Sequence, residues 1–513
     1  MYNAAADLLG RNVPLRAAKV AFVDEQGSYT YGDLAERVAR AGGALRALGL
    51  VMEQRVVLGL LDRIDFPACF LGAIEAGIVP VPVNTLFPPA DYAYILADSR
   101  AQVAVVSAEL LPQFEEAARL ANWRGTFVVS DPRGVAPAAP YSRLDDLMVR
   151  AEPLAEPAPT GADDACFWLY SSGSTGKPKG TVHVQTSLIR TADLFAQGVL
   201  GMREDDVVYS AAKLFFAYGL GNALTFPLAV GATAVLRAGR PTPDVVGETL
   251  RAHGVTIFCG VPTLFGALLV HPTFPSRDEL ALRLCTSAGE PLPEEIGKTW
   301  TARFGVEVVD GIGSTEMLHI FVSNRPGAVK YGTTGLPVPG YRARIVGEDG
   351  REVTPGELGE LEVSGPTAAA CYWNNRDKSR ATFAGEWTRT GDKYRQDEDG
   401  YFVYCGRVDD MLKVGGIWVS PSEVEAALVA HPHVLEAAVI GVADESDLIK
   451  PKAFVVLKPG AVAHDALADE LKAHVKGRLA PYKYPRWIAF VDELPKTPTG
   501  KIRRHVLRAQ EAR

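Results

Sequence analysis

No Cys-x-x-Cys pair occurs among the six cysteines of this 513-residue chain. Cys69, Cys166, Cys259, Cys285, Cys371 and Cys405 mostly fall in apolar runs, the pattern of buried free thiols in a reducing cytoplasm rather than of a disulfide framework. The nine histidines show no metal-ligand spacing. Long hydrophobic runs are also missing. The most apolar stretch, 66–83, is broken by Glu75, Pro80 and Pro82, too interrupted to span a bilayer, so no membrane association is expected. Met1-Tyr2-Asn3-Ala4-Ala5-Ala6-Asp7 carries no basic segment followed by an apolar one, so no secretory signal is expected. Positive charge is not in excess either. The formal net charge is −8, which does not favour a nucleic-acid partner.

What is present points to a soluble globular protein. A chain of this length divides into two or three domains. Short apolar runs at 55–61, 102–107, 126–130, 232–236, 256–260, 283–286 and 306–310 read as buried strands. Helix starts lie between them, at Pro262 and at Pro293 with Glu294 and Glu295 in the first turn. This alternation predicts an α/β fold with largely parallel sheets. Residues 132–162, rich in Ala and Pro, read as a surface connection. From about residue 332 turns marked by Gly and Pro separate strands at 342–346, 359–363 and 401–405, a β-rich subdomain. After residue 409 the texture changes again. Ser420-Pro421-Ser422-Glu423 is a capping box, and helices alternate with strands at 435–442, 453–457 and 487–491. The expected layout is a large body and a small α+β lid, joined near residues 407–410.

Chemistry concentrates in loops at strand ends. Tyr170-Ser171-Ser172-Gly173-Ser174-Thr175-Gly176-Lys177-Pro178-Lys179-Gly180 follows an apolar strand and combines glycines, hydroxyls and two lysines. Such a loop suits a polyphosphate. It is not a Walker A loop, because Gly173 and Gly176 are too close together and Pro178 stands where Ser or Thr is required. Ser287-Ala288-Gly289-Glu290-Pro291 and Asp310-Gly311-Ile312-Gly313-Ser314-Thr315-Glu316 each follow a strand, so both are expected in one crevice. Glu316 suits a Mg²⁺ that bridges phosphates. Asp392, in Thr390-Gly391-Asp392, can accept both hydroxyls of a ribose. Near the end, Thr499-Gly500-Lys501 forms a turn that presents Lys501.

In this order these stretches resemble the adenylate-forming superfamily of acyl-CoA synthetases, peptide-synthetase adenylation domains and luciferases, over nearly the whole chain. The resemblance implies a large N-terminal domain, 1–408, of mixed, largely parallel sheets with flanking helices and a β-rich subdomain from about 332 to 408. It implies a small mobile α+β C-terminal domain, 409–513, hinged at Asp409. Carried over residue by residue, it implies that Ser171, Ser172, Gly173, Ser174, Thr175 and Lys179 hold the ATP phosphates. Ala288, Gly289, Glu290, Asp310, Gly311 and Ile312 would line the adenine, and Asp392 and Arg407 would bind the ribose. Thr315 would contact the α-phosphate, with Glu316 near Mg²⁺, and Lys501 would bridge the carboxylate and the α-phosphate. Acetylation of Lys501 by an acetyltransferase, reversed by a deacetylase, would switch adenylation off.

Within the superfamily, Phe216-Ala217-Tyr218-Gly219 and His319-Ile320 resemble the benzoate–CoA ligases. The resemblance implies an aryl-acid pocket lined by these residues, with Phe216 as its gating aromatic. A flat apolar slot suits a planar arene. Benzoate and its hydroxylated or halogenated analogues remain open as substrates, because a ring hydroxyl would need a polar partner such as Tyr218 or His319. Twelve residues follow Lys501, which makes free CoA the expected thiol, its pantetheine passing Gly415 and Gly416. Loading of a carrier protein in trans is the alternative. A catalytically dead binding homologue is a third reading, against which intact Glu316, Asp392, Arg407 and Lys501 weigh.

Overall fold

The structure, a computed structural model, describes residues 1–131, 141–171, 177–408, 410–414, 417–445, 448–496 and 502–511. Its centre is a nine-stranded sheet. Val20–Val23, Thr233–Val235, Val207–Ser210, Ile257–Gly260, Leu284–Ser287 and Val308–Gly313 run parallel in that spatial order, and antiparallel strands close both edges. The inner strands are buried, as expected where helices cover both faces. The predicted runs all lie on strands of this sheet or of a second, five-stranded parallel sheet in the order Val79–Pro82, Arg55–Gly59, Val103–Ser107, Thr126–Ser130, Ser142–Arg143.

Two prolines interrupt the edge strand of that second sheet. The N–H groups of Val79 and Val83 donate to Gln54 and Leu58 in the neighbouring strand. Alternation along the strand then turns positions 80 and 82 outward, where Pro80 and Pro82 have no N–H to offer. The hairpin of Ala165–Ser171 and Lys179–Val184 packs beside this edge and forms its own three-stranded antiparallel sheet with Cys371–Tyr372.

One part of the reading is overturned. Residues 142–150 are not a surface connection. Ser142–Arg143 extends the five-stranded sheet, and Leu144–Arg150 is a helix that buries Leu144 and Met148. The helical spacing of Leu144, Leu147 and Met148 carried that signal beneath the Ala/Pro-rich composition.

The β-rich subdomain is an antiparallel sheet of Arg342–Val346, Gly359–Ser364, Trp387–Gln396 and Phe402–Arg407, with Phe383–Ala384 at one side. The C-terminal domain is separate and has its own core, which includes Val419, Val424, Leu428, Val439, Val455, Leu471 and Val475. Its sheet pairs Val434–Ala443 with Ile449–Leu457 and Trp487–Phe490. The helix Pro421–Val429 starts at the expected cap, where Ser420 Oγ accepts from the Glu423 N–H at 3.1 Å. Glu423 spends its carboxylate on Lys483, at 2.6 Å, rather than on the reciprocal half of the box. Among the described residues no helix is long and apolar enough to cross a membrane.

Leu471 is fully buried in the C-terminal core. Leu471→Ala should cost about 2–5 kcal/mol. Limited proteolysis on heating should show the C-terminal domain becoming susceptible first, while the N-terminal sheets keep their protection.

Candidate active site

Parallel register sets the floor of the site. Gly260 lies opposite Ser287, and Ser287 lies opposite Asp310, so the carboxyl ends of three neighbouring strands are level. Loops leaving those ends open into one crevice. Ala288, Gly289 and Glu290 follow the middle strand directly. Asp310 ends the expected strand, but Gly311 and Ile312 behave differently from expectation: they continue the strand rather than form a loop. After Asp310 the chain changes partner and pairs antiparallel with Ile320–Ser323. Gly311 permits the close approach, since a Cβ there would stand 2.9 Å from Ile320 Cγ2.

Asp310 is buried, and its Oδ2 accepts from the Leu292 N–H at 3.4 Å. Burial dominates its titration and raises it from 3.8 to about 8, against the hydrogen bonds that pull it down. The group beside the expected adenine position is therefore a largely neutral carboxyl near pH 7.

The expected phosphate side gathers residues that are far apart in sequence. Lys179 opens the second strand of the hairpin, and its Nζ lies 4.5 Å above the centre of the Tyr372 ring. Tyr372 donates its hydroxyl to Glu316 Oε1 at 2.6 Å. Burial lowers the Lys179 ammonium, and the Glu316 charge opposes that shift. His183, on the same hairpin strand, donates from Nε2 to the Thr315 carbonyl at 2.8 Å. Burial holds His183 down at about 4, so it is neutral near pH 7 and its tautomer is set by that carbonyl. The three-stranded sheet and the Thr315–Glu316 loop are thus tied together twice, once from the hairpin and once from Tyr372. Ser171 ends the first hairpin strand. Ser172, Gly173, Ser174 and Thr175 lie outside the described residues, as do Asp409, Gly415, Gly416 and Lys501.

Asp392 and Arg407 face each other across paired strands, with Arg407 Nη1 at 3.1 Å from Asp392 Oδ1. The Asp392 charge is the main cause that raises the guanidinium. The two expected ribose contacts form one unit at the last strand before the C-terminal domain.

The aryl-side residues also converge. Phe216 caps the short helix Ala217–Leu220. Gly219 is required there, since a Cβ would fall 2.0 Å from the Lys213 carbonyl oxygen. Tyr218 and Thr286 share a hydrogen bond of 2.6 Å between hydroxyls, which anchors this helix to the strand end below Ala288. His319 Nε2 donates to the Tyr218 carbonyl at 3.3 Å. Burial takes His319 down to about 3, so the ring is neutral and its Nδ1 is left as a lone-pair acceptor with no partner among the described residues. Phe226 and Phe195 pack on the His319 ring at 4.5 and 5.4 Å between centroids. Phe195 lies on a π-helical turn, and a second such turn, Gly221–Thr225, leads into Phe226, the kind of helix distortion that often accompanies a binding site. Leu318 sits at φ +68°, strained for a branched residue, immediately before His319. Ile320 is buried at the start of the antiparallel strand.

Comparison with known proteins completes the picture. The AMP-binding enzyme family matches residues 10–373, and the AMP-binding enzyme C-terminal domain matches residues 423–501. The chain belongs to the AMP-binding enzyme family. This AMP-binding enzyme is 60% identical over 511 residues to a benzoate–CoA ligase of Thauera aromatica, covering 99% of this chain and 96% of that one. Its fold matches a benzoate CoA ligase from Burkholderia xenovorans LB400 with a TM-score of 0.93 and 54% identity, covering 99% and 100% of the two chains. It matches the anthranilate CoA ligase AuaEII, in complex with anthranoyl-AMP, with a TM-score of 0.96 and 43% identity, covering 100% and 98%. The adenylate-forming membership and the fold class read from the motifs are borne out.

Five residues of this AMP-binding enzyme's candidate site were not singled out in the sequence: His183, Thr286, Tyr372, Phe195 and Phe226. His183 offered a local signal that could have marked it, a lone imidazole within the apolar strand Lys179–Val184. Tyr372 carried no such mark, since its bond to Glu316 spans 56 residues.

The shift at Asp310 has a sign. Its folded value lies above the ordinary 3.8. Its contribution to stability is therefore complete at low pH and is lost as pH rises through about 8. Asp310→Asn lacks that loss. Melting of the unliganded protein should show the variant gaining on the parent between pH 5 and pH 9; a constant difference across that range would contradict the assignment.

Proposed function

We propose that this AMP-binding enzyme is an ATP-dependent benzoate–CoA ligase, an acid–thiol ligase that forms AMP. One observation carries the reading. A niche of Ala217, Tyr218, Gly219, His319 and Ile320 is bonded, through Tyr218 and Thr286, to the same strand ends that bear the adenylate motifs. This occurs in a chain 60% identical to a benzoate–CoA ligase over nearly the full length of both. Free CoA is the thiol. Carrier-protein loading is not favoured, because the full-length similarity is to CoA ligases.

The first half-reaction joins two anions. The carboxylate oxygen attacks the α-phosphorus of ATP, the bond to the bridging oxygen breaks, and pyrophosphate leaves with its electrons to give benzoyl-AMP. Cationic groups placed where charge builds offset the repulsion. Lys179, with Ser171 to Thr175, holds the departing phosphates. Thr315 contacts the α-phosphate, and Lys501 spans carboxylate and α-phosphate. Ala288, Gly289 and Asp310 to Ile312 line the adenine, with Asp392 and Arg407 on the ribose.

Among the described residues no group of three or more His, Cys, Asp or Glu is poised to hold a metal. The single carboxylate of Glu316 fits Mg²⁺, which takes one or two carboxylates and completes its shell with phosphate oxygens and water. When bound it would supply charge neutralisation at the phosphates.

In the second half-reaction the CoA sulfur, having lost its proton, attacks the acyl carbon. A C–S bond forms, the C–O bond breaks, and AMP leaves. Phe216 gates the aryl pocket, Gly415 and Gly416 pass the pantetheine, and Asp409 is the hinge between domains 1–408 and 409–513. Acetylation of Lys501 would remove the bridging charge. Location in the cytoplasm is supported by the free cysteines, five of which are buried.

Purified protein with benzoate, ATP, Mg²⁺ and CoA should release benzoyl-CoA and AMP in equal amounts, measured by liquid chromatography; no turnover with free CoA would sink the reading. Lys501→Ala should slow benzoyl-AMP formation about a hundredfold or more. Thioester formation from supplied benzoyl-AMP should remain near the parent rate, and equal losses in both steps would remove the bridging role.

A further inference from the structure

Glu290 was expected to line the adenine, yet its carboxylate reaches the other domain. Oε1 accepts from the backbone N–H of Ile502 at 2.9 Å, across 212 positions of sequence. Ile502 pairs antiparallel with Lys496, and the Arg503 N–H donates to the Pro495 carbonyl at 2.7 Å. The two sides of the 497–501 segment, which includes Lys501, are therefore clipped together at its root. Lys496 anchors the other side of that root to Glu436, at 2.6 Å. Glu290 thus grips the residue next to Lys501, from a loop on the adenine side of the crevice.

The grip continues toward the hinge. Arg504, two residues beyond Ile502, binds both oxygens of Glu425 at 2.7 and 2.8 Å and lies 3.8 Å from Asp410. Arg508 also pairs with Asp410. On the N-terminal side, Arg407 is held by Asp392. Ion pairs therefore bracket positions 408 and 409. Beyond them, Asp410 and Glu425 are cross-linked within the C-terminal domain to Arg504 and Arg508.

We propose that Glu290 is the positioning residue that docks the C-terminal domain in its adenylate-forming posture. The inference rests on the ligase reading above. In this posture Glu290 holds Ile502, the described residue that follows Lys501, beside the loop that leaves Ser287. Rotation at the hinge for the thiol step pulls Ile502 away and breaks that hydrogen bond. Glu290 is therefore engaged in one half-reaction and idle in the other, which an adenine contact would not be.

The test separates the two half-reactions in the full-length protein. Benzoyl-AMP formation is followed by pyrophosphate release in a single turnover without CoA. Thioester formation is followed from chemically supplied benzoyl-AMP and CoA. Glu290→Ala should slow the first step about ten- to hundredfold, the scale of a hydrogen bond to a charged group. It should leave the second unchanged or faster. Glu290→Gln keeps an acceptor oxygen and should recover most of the first step. Equal loss in both steps, a parallel rise in KM for ATP and benzoyl-AMP, or no effect of Glu290→Ala each overturns the proposal. A parent enzyme that makes benzoyl-AMP in the same assay upholds the ligase reading independently of those results, and one that makes none overturns both.

Discussion

The level ends of the central parallel strands are the constraint on which the site depends. Ser287 opposite Asp310, and Gly260 opposite Ser287, fix where each following loop begins. A one-residue slip would turn every side chain to the other face of the sheet. It would also take Thr286 away from Tyr218 and so detach the aryl side from the nucleotide side. The backbone pairing is buried between helical layers and strongly specified. The groups it carries, by contrast, are held largely by side-chain bonds, such as Tyr218 to Thr286.

Those groups are mostly neutral or paired before any ligand arrives. His183 and His319 are kept neutral by burial, Asp310 is largely protonated near pH 7, and Arg407 already faces Asp392. Among the described residues, Lys179 and Glu316 are a pair of opposed charges at the expected phosphate side. Opposed charges in a partly buried place act strongly on one another, so few are needed and each must be accurately placed. The hydroxyl of Tyr372 and the imidazole of His183 do that placing.

Much of this was legible in the sequence because the relevant signals are local. Apolar runs ending in Gly, Ser, Thr or Asp marked the strand ends, and the loops after Ser287 and around Glu316 do converge. Legibility failed where the cause is a distant partner. Gly311 to Gly313 reads as a loop because it is rich in glycine, yet it extends the strand, since the glycines admit Ile320–Ser323 as an antiparallel neighbour. Glu290 reads as part of an adenine loop, but its partner is 212 residues away. The helix at Leu144–Arg150 was masked by the alanines and prolines around it, although its own spacing was regular.

Pro80 and Pro82 have a consequence beyond their own strand. The phosphate hairpin lies alongside the edge they occupy. Were N–H groups available there, the two sheets would have every reason to fuse into one continuous ladder. The hairpin would then inherit the twist of a rigid parallel sheet. By withholding two donors, the prolines keep it an independent leaf, fastened by side chains such as Arg55, whose guanidinium lies over the rings of Trp168 and Trp373. A leaf joined by ring contacts shares no backbone ladder with the parallel sheet, so the strand ending at Ser171 and the strand beginning at Lys179 take their direction from each other and from Cys371–Tyr372.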